Sequence, residues 1–362
     1  MVKNKKKIDL NLLLIIFGIL LLGFLMLFSV SAQKSLEAVG NTYYFLAHQF
    51  IYGIIPGLSL GFIAFKIDLV RFKKIGFFFF LLNLILLLTV FLPGLGITKG
   101  GGRRWLGVGP FSFQPSEFLK ITLPLYLAVW LAGRKKKDLK TFCGFFLICL
   151  PVITILLLQP DLGTLVLIMF SACLIYFLSE TPIWHGILIL AVAFAALLLL
   201  VVFKSYRMQR LLIFLNPEID PMGIGYQLKQ SLIAIGSGGF WGKGLGFSQQ
   251  KFGLLPNVIS DSIFAAFCEE TGLIGPFILI VLFLLFLVRI IFIVQKTRED
   301  FSRSLGLTLG ASIVIQAFFN MGAMMSVIPL TGIPLPFISY GGTHLMVELI
   351  MVGILLNISQ SS

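Results

Sequence analysis

Charge is what this sequence has least of. Asp, Glu, Lys and Arg together supply 12% of 362 residues, against 58% hydrophobic residues and a mean hydropathy of +1.02. That scarcity excludes an ordinary soluble domain, which could not cover its surface, and leaves a polytopic membrane protein. Cysteine is sparse too. Cys143, Cys149, Cys173 and Cys268 all sit inside apolar runs and form no CxxC pair, so neither a disulfide framework nor a zinc site is supported. A GxxxxGK loop ending in Ser or Thr is missing, as is any nucleic-acid motif, although the net charge is +13. The Lys and Arg residues cluster instead between apolar runs, as they do at the cytoplasmic ends of membrane helices.

Ten apolar runs are long enough, or nearly so, to cross a bilayer. They cover about 10–30, 44–65, 75–92, 115–131, 142–158, 162–178, 184–203, 262–294, 304–325 and 341–358, and the eighth is generously long. The first ends in a weak cleavage-like Ser29-Val30-Ser31-Ala32, but it exceeds a signal-peptide core and reads as a retained helix. The expected fold is therefore all-α, a single transmembrane domain over 1–362. With a cytoplasmic N-terminus, 17 of the 28 Lys and Arg residues fall in short inside loops, among them Lys3, Lys5, Lys6, Lys7 and the run Arg134 to Lys137. That distribution places both termini in the cytoplasm and residues 204–261 outside, between helices 7 and 8.

The 204–261 stretch is a 58-residue interruption with nine glycines, and its recurrent Leu, Ile, Phe and Trp argue against disorder. Ten cations stay outside against the usual bias: Lys34, Lys99, Arg103, Arg104, Lys204, Arg207, Arg210, Lys229, Lys243 and Lys251. Outer positive charge points to an anionic ligand. For Lys204, Arg207 and Arg210 the simpler reading is snorkelling toward lipid phosphates, because YRMQRLLIFL has the mixed faces of an interfacial helix.

Four places near the outer side carry candidate chemistry. In GGGRRWLGVGPFSFQPSEFLK, Pro115 opens a helix, Glu117 stands near its positive end and Lys120 lies one turn deeper. A Glu117–Lys120 pair would explain both, yet a lysine within a span by default marks a site, and Arg103, Arg104 and Trp105 stand just outside. In QPDLGT, Asp161 either caps the following helix or serves function, with equal weight. GSGGFWGKGLG could converge backbone N–H groups on an anion beside Lys243, or merely turn tightly. Asp261, at the junction of the long loop and the eighth run, could be a helix cap; flanked by Ile259, Ile263 and Phe264, it is also a partly desolvated carboxylate suited to act as a base.

Together these segments, with FLNPEIDPMGIGYQLKQSLIAIGSGGFWGKGLGFSQQKFGLLP, DSIFAAFCEETGLIG and PLTGIPLPFISYGGT, resemble the SEDS family (shape, elongation, division and sporulation) over nearly the whole chain. The short step Gly244 to Phe252 looks more like its FtsW and SpoVE members than RodA. The resemblance implies ten transmembrane helices, the bacterial cytoplasmic membrane and a peptidoglycan glycosyltransferase polymerising lipid II at the outer face, in division or elongation. It implies a class B penicillin-binding protein as partner, with other division or elongation proteins. Asp261 would be the catalytic base. Arg104, Glu117, Lys120 and Asp161 match family positions, and Arg103, Arg104, Lys120 and Lys243 would hold the pyrophosphate, with Mg2+ left open as a companion and no metal ligands assigned. The chain departs from the family pattern at Asn257, Ile259, Ser260 and Ser262, and His344 and Glu348 in the last run are unusual. A precursor flippase, or a catalytically weak scaffold of the division complex, is the alternative.

Overall fold

The computed structural model describes residues 8–99, 102–108, 111–134, 138–202 and 205–360. Lys3, Lys5, Lys6, Lys7, Lys135, Lys136, Lys137 and Lys204 lie outside the described residues, as do the side chains of Lys99 and Arg207. The chain is mainly helical. Helix α1 (Leu10–Val39) starts where the Leu12 N–H donates to Asp9 and stops at Gly40, whose φ of 72° ends the helix in the left-handed region. Next, α2 (Tyr44–Gln49) runs through a π turn (Phe50–Ile54) into α3 (Ile55–Lys66), beside Pro56, which has no N–H to continue the α ladder. Helix α4 (Leu69–Thr89) follows.

A small antiparallel sheet, which the hydropathy pattern did not foreshadow, then stands on the helices: β1 (Gly96–Lys99), β2 (Gly102–Val108) and β3 (Phe111–Phe113), in that order. After it come α5 (Pro115–Ala132), α6 (Leu139–Leu158), α7 (Leu162–Leu178) and α8 (Ile183–Val202). The long loop carries two amphipathic helices, α9 (Ser205–Leu215) and α10 (Ile224–Ser237). The long eighth run is not one helix but two, α11 (Ile263–Thr271) and α12 (Ile274–Lys296). They break at Gly272, φ 62°, where a Cβ would stand 2.4 Å from both Gly242 N and Phe240 O of the overlying loop. Helices α13 (Asp300–Met324) and α14 (Gly342–Ser359) complete the bundle.

Among the described residues, seven helices are long and apolar enough to cross a membrane: Leu10–Val39, Tyr44–Lys66, Leu69–Thr89, Leu139–Leu158, Ile274–Lys296, Asp300–Met324 and Gly342–Ser359. In the most apolar stretch of the last two, 67% and 78% of the residues are buried, against 22–33% in the other five, so α13 and α14 lie in the middle of the bundle and those five toward its outside. Small residues make the tightest seam. Cβ atoms at Gly61 and Gly353 would meet Leu349 O at 2.6 Å and Gly61 O at 2.1 Å, so α3 and α14 touch backbone to backbone. At the other end Arg289 grips Asp9 bidentately, Nη2 to Oδ2 at 2.7 Å and Nε to Oδ1 at 2.9 Å, fixing α12 to the start of α1.

Candidate active site

The site is built where β2, the turn before α7, the end of the long loop and the 330–341 segment meet. In β2 the pairing steps from Ile97 opposite Trp105 to Thr98 opposite Arg103, leaving Arg104 as the extra residue of a bulge. The bulge aims its guanidinium at the α6–α7 turn, where Nε donates to Gln159 O at 3.1 Å, Nη2 donates to Pro160 O, and Nη1 lies 3.6 Å from Asp161 Oδ1. Arg103 is exposed while Arg104 is part-buried, so the two adjacent arginines do not form one cationic cluster.

Asp161 stands at the N-cap of α7 without capping it: its side chain accepts no helix N–H. The carboxylate turns to β2 and α5 instead, accepting from Gln114 Nε2 at 3.1 Å and Ser116 Oγ at 3.5 Å beside Arg104. The capping alternative is thereby removed.

Asp261 is no cap either, since Ser262 holds the N-cap of α11 and no side-chain cap bond is made there. Its backbone is held from several sides. Asn320 Nδ2 donates to Asp261 O at 2.8 Å and to Ile333 O at 2.8 Å, Ser339 Oγ donates to Ser260 O at 2.7 Å, and the Tyr340 N–H donates to Ile259 O at 2.8 Å. The carboxylate, by contrast, has no hydrogen bond or ion pair among the described residues, and Oδ2 faces Gly332. Burial pushes this carboxyl up to about 6, against the pull of the Arg210, Arg104 and His344 charges. A base of that strength is ionised at neutral pH yet keeps a useful proton affinity.

Two of the departures from the family pattern, Asn257 and Ser262, have structural roles here. Asn257 takes a φ of 53°, and its carbonyl accepts the N–H groups of Ser260 at 3.0 Å and Ser262 at 3.2 Å, forming the turn that presents Asp261. Ser262, fully buried, accepts from Gln227 of α10 at 2.9 Å, tying the turn to the loop helix. Arg210 is not a snorkelling residue, because Nη1 donates to Leu330 O at 3.1 Å and turns its charge toward Asp261. Sequence reasoning missed it because one charge on an amphipathic helix carries no sign of which way it points.

Glu117 and Lys120 lie beneath, inside the bundle. Lys120 Nζ donates to Glu117 Oε2 at 2.7 Å and to Gln316 Oε1 at 2.9 Å, and it is 3% exposed. His344 joins them, with Nδ1 at 2.9 Å from Glu117 Oε2 and Nε2 at 2.8 Å from Glu348 Oε1, the latter an ion-pair contact without hydrogen-bond alignment. With its ammonium enclosed by these partners, Lys120 belongs to a buried network beneath the site.

Lys243 is not part of the Arg104–Asp161 cluster. It donates to Glu269 Oε1 at 2.7 Å, and the same buried carboxylate accepts from Ser248 Oγ and the N–H groups of Gln249 and Gln250. Next to it Glu270 binds Lys251 Nζ at 3.0 Å and Ser29 Oγ at 2.6 Å. The two acids of CEETG therefore staple the glycine-rich loop to α11 and α1, and Lys243 is spent on that staple.

Among the described residues no three acids, histidines or cysteines are grouped so as to hold a metal ion.

Fold and site together define a many-helix membrane protein that presents an unengaged carboxylate among arginines. Its family is also clear: a family model described as a cell cycle protein, FtsW/RodA/SpoVE, matches residues 10–362, and the chain belongs to that family. It is 36% identical to stage V sporulation protein E of Bacillus subtilis over 99% of each chain. It is likewise 36% identical to a probable peptidoglycan glycosyltransferase FtsW of Thioalkalivibrio sulfidiphilus, covering 100% of this chain and 92% of that one. Among solved structures, it superposes on a chain of a peptidoglycan synthase complex that coordinates polymerization and crosslinking, with a TM-score of 0.81, 28% identity and 97% of both chains covered.

Proposed function

We propose that the protein polymerises lipid II into glycan strands at the outer face of the bacterial cytoplasmic membrane, working with a class B penicillin-binding protein. The observation that carries this reading is the Asp261 carboxylate, without a hydrogen-bond partner among the described residues while the peptide bearing it is pinned by Asn320 and Ser339. A group so held is poised to act on a substrate and does little for the fold. The names of the relatives, as peptidoglycan glycosyltransferases, support the reaction class.

In the reaction, Asp261 takes the proton from the acceptor sugar's 4-hydroxyl as that oxygen attacks the anomeric carbon of the donor. The bond from that carbon to the diphosphate oxygen breaks, and undecaprenyl pyrophosphate leaves with the electron pair. Arg104 and Arg210 offset the growing negative charge, with Asp161 fixing Arg104 in place. A strong general acid is not required, because the leaving group is already a good one. Glu117, Lys120 and Asp161 support this constellation from behind, and Arg103 and Lys243 stand outside it.

The matching topology has ten spans, both termini in the cytoplasm and the loop 204–261 outside. Polymerisation of labelled lipid II by the purified protein, with and without candidate penicillin-binding partners, tests the whole reading. A preparation that is folded and partnered but forms no polymer would sink it.

A further inference from the structure

Glu348 is a buried acid that the reaction does not use. It lies in the middle of α14, is 1% exposed, and its Oε2 accepts the backbone N–H of Phe337 at 2.7 Å. Phe337 is no ordinary donor: its φ is 63°, a left-handed conformation that a phenylalanine rarely adopts. From α1, Gly23 allows an equally close approach, since a Cβ there would stand 2.5 Å from Phe337 O. The strained turn is thus clamped at its N–H by a carboxylate and at its carbonyl by a helix.

Two residues later the same turn reaches the base. Ser339 Oγ accepts the Leu335 N–H at 2.8 Å and donates to Ser260 O at 2.7 Å, and Tyr340 N–H holds Ile259 O at 2.8 Å. Gln49, at the edge of the π turn, closes the other side by donating to Ser339 O at 3.2 Å and accepting the Gly341 N–H at 2.9 Å. These bonds form one strut from Glu348 through Phe337 and Ser339 to the peptide just before Asp261.

We infer that Glu348 is a positioning residue for Asp261, holding the Phe337 turn in its strained form so that Ser339 and Tyr340 fix the base. The inference rests on the reading of Asp261 as the base, but the strut exists whatever the activity. Its loss lets the turn relax to an ordinary conformation, and the bonds to Ile259 and Ser260 go with it. Displacement of a base by about 1 Å costs up to roughly 100-fold in rate.

The test uses the full chain in nanodiscs and two readouts. In amide hydrogen exchange, Glu348→Leu should speed exchange in the 257–262 and 335–341 segments by about tenfold or more, while Glu348→Gln, which keeps an acceptor for the Phe337 N–H, should not. In lipid II polymerisation with the partner present, Glu348→Leu should lower kcat by about 10- to 100-fold with KM unchanged, and Glu348→Gln should recover most of it. Ser339→Ala cuts the same strut at its far end, so Glu348→Leu with Ser339→Ala should be little worse than either alone.

Equal loss in Glu348→Gln and Glu348→Leu would overturn the inference, because the pairing with His344 and not the N–H bond would then be what matters. Unchanged exchange at 257–262 in Glu348→Leu would overturn it as well. Should Glu348→Leu fail to fold, Ser339→Ala decides: wild-type kcat and exchange overturn the strut. If the wild-type chain makes no polymer at all, the activity reading fails while the exchange experiment still judges the strut.

Discussion

Lys120 Nζ lies 2.7 Å from Glu117 Oε2, with both side chains no more than 5% exposed. The family resemblance implies that this lysine binds substrate. The buried geometry gives a different expectation, because removing Lys120 leaves the Glu117 carboxylate with His344 as its remaining partner, and breaking a buried pair costs up to about 3–5 kcal/mol. Lys120→Met should lose much of its thermal midpoint and membrane yield, and adding Glu117→Gln should restore part of both. A Lys120→Met preparation with the wild-type midpoint but no turnover would return Lys120 to the substrate.

Asp261→Asn separates catalysis from folding. Turnover should fall by roughly 10²- to 10⁴-fold, as for loss of a general base. The wild-type rate should also decline as pH drops through about 6, where burial has moved this carboxyl. The sign for stability follows from the same shift. A carboxyl raised in the folded state burdens that state above its folded value and is harmless below the ordinary aspartate range. The thermal midpoint of Asp261→Asn should therefore exceed wild type near pH 7.5, and the gain should vanish by about pH 4. A fully active Asp261→Asn would remove the mechanism.

Arg104 and Arg103 make a built-in control pair. Arg104 serves two carbonyls and a carboxylate at once through its fork, which a lysine cannot reproduce. Arg104→Lys should lower kcat/KM for lipid II by about 10- to 100-fold, the scale of losing one to two charged hydrogen bonds. Arg103→Ala should stay within about twofold, as expected for an exposed residue that adds little. Equal losses in both would show the two arginines acting as one cluster after all.

Orientation is tested by labelling with a membrane-impermeant thiol reagent, after the four native cysteines are replaced by alanine. Trp241→Cys, at a position 78% exposed in the long loop, should be modified on intact cells stripped of outer layers. Lys136→Cys should react only after lysis. The opposite pattern would invert the topology.

What could be read from the sequence was whatever depends on composition over a window. Apolar runs gave the helices because a bilayer demands length, and Asp261 stood out because an acid between Ile259 and Ile263 is conspicuous. What could not be read was direction and distant partnership. Gln316 and His344, which enclose Lys120, lie 196 and 224 residues away along the chain, and no local pattern announces them. The bulge that separates Arg104 from Arg103 depends on strand register, which a seven-residue strand full of glycine and arginine barely specifies. Asp161 sits at a helix start in a sequence that suits a cap, and only the nearby Arg104 and Gln114 pull it away.

The seam between α3 and α14 also bears on the order in which the molecule can be made. Gly61 and Gly353 meet backbone to backbone although nearly the whole chain separates them, and Asn357 Nδ2 donates to Ala64 O at 2.9 Å in the same contact. During synthesis the early helices enter the membrane long before α14 exists. Until it arrives, the glycine face of α3 has only lipid or another helix to lie against, and the Phe337 turn lacks its carboxylate. A ribosome that stops short of α14 would thus release a chain whose inserted helices are in place while the turn beside Asp261 lacks its Glu348 clamp.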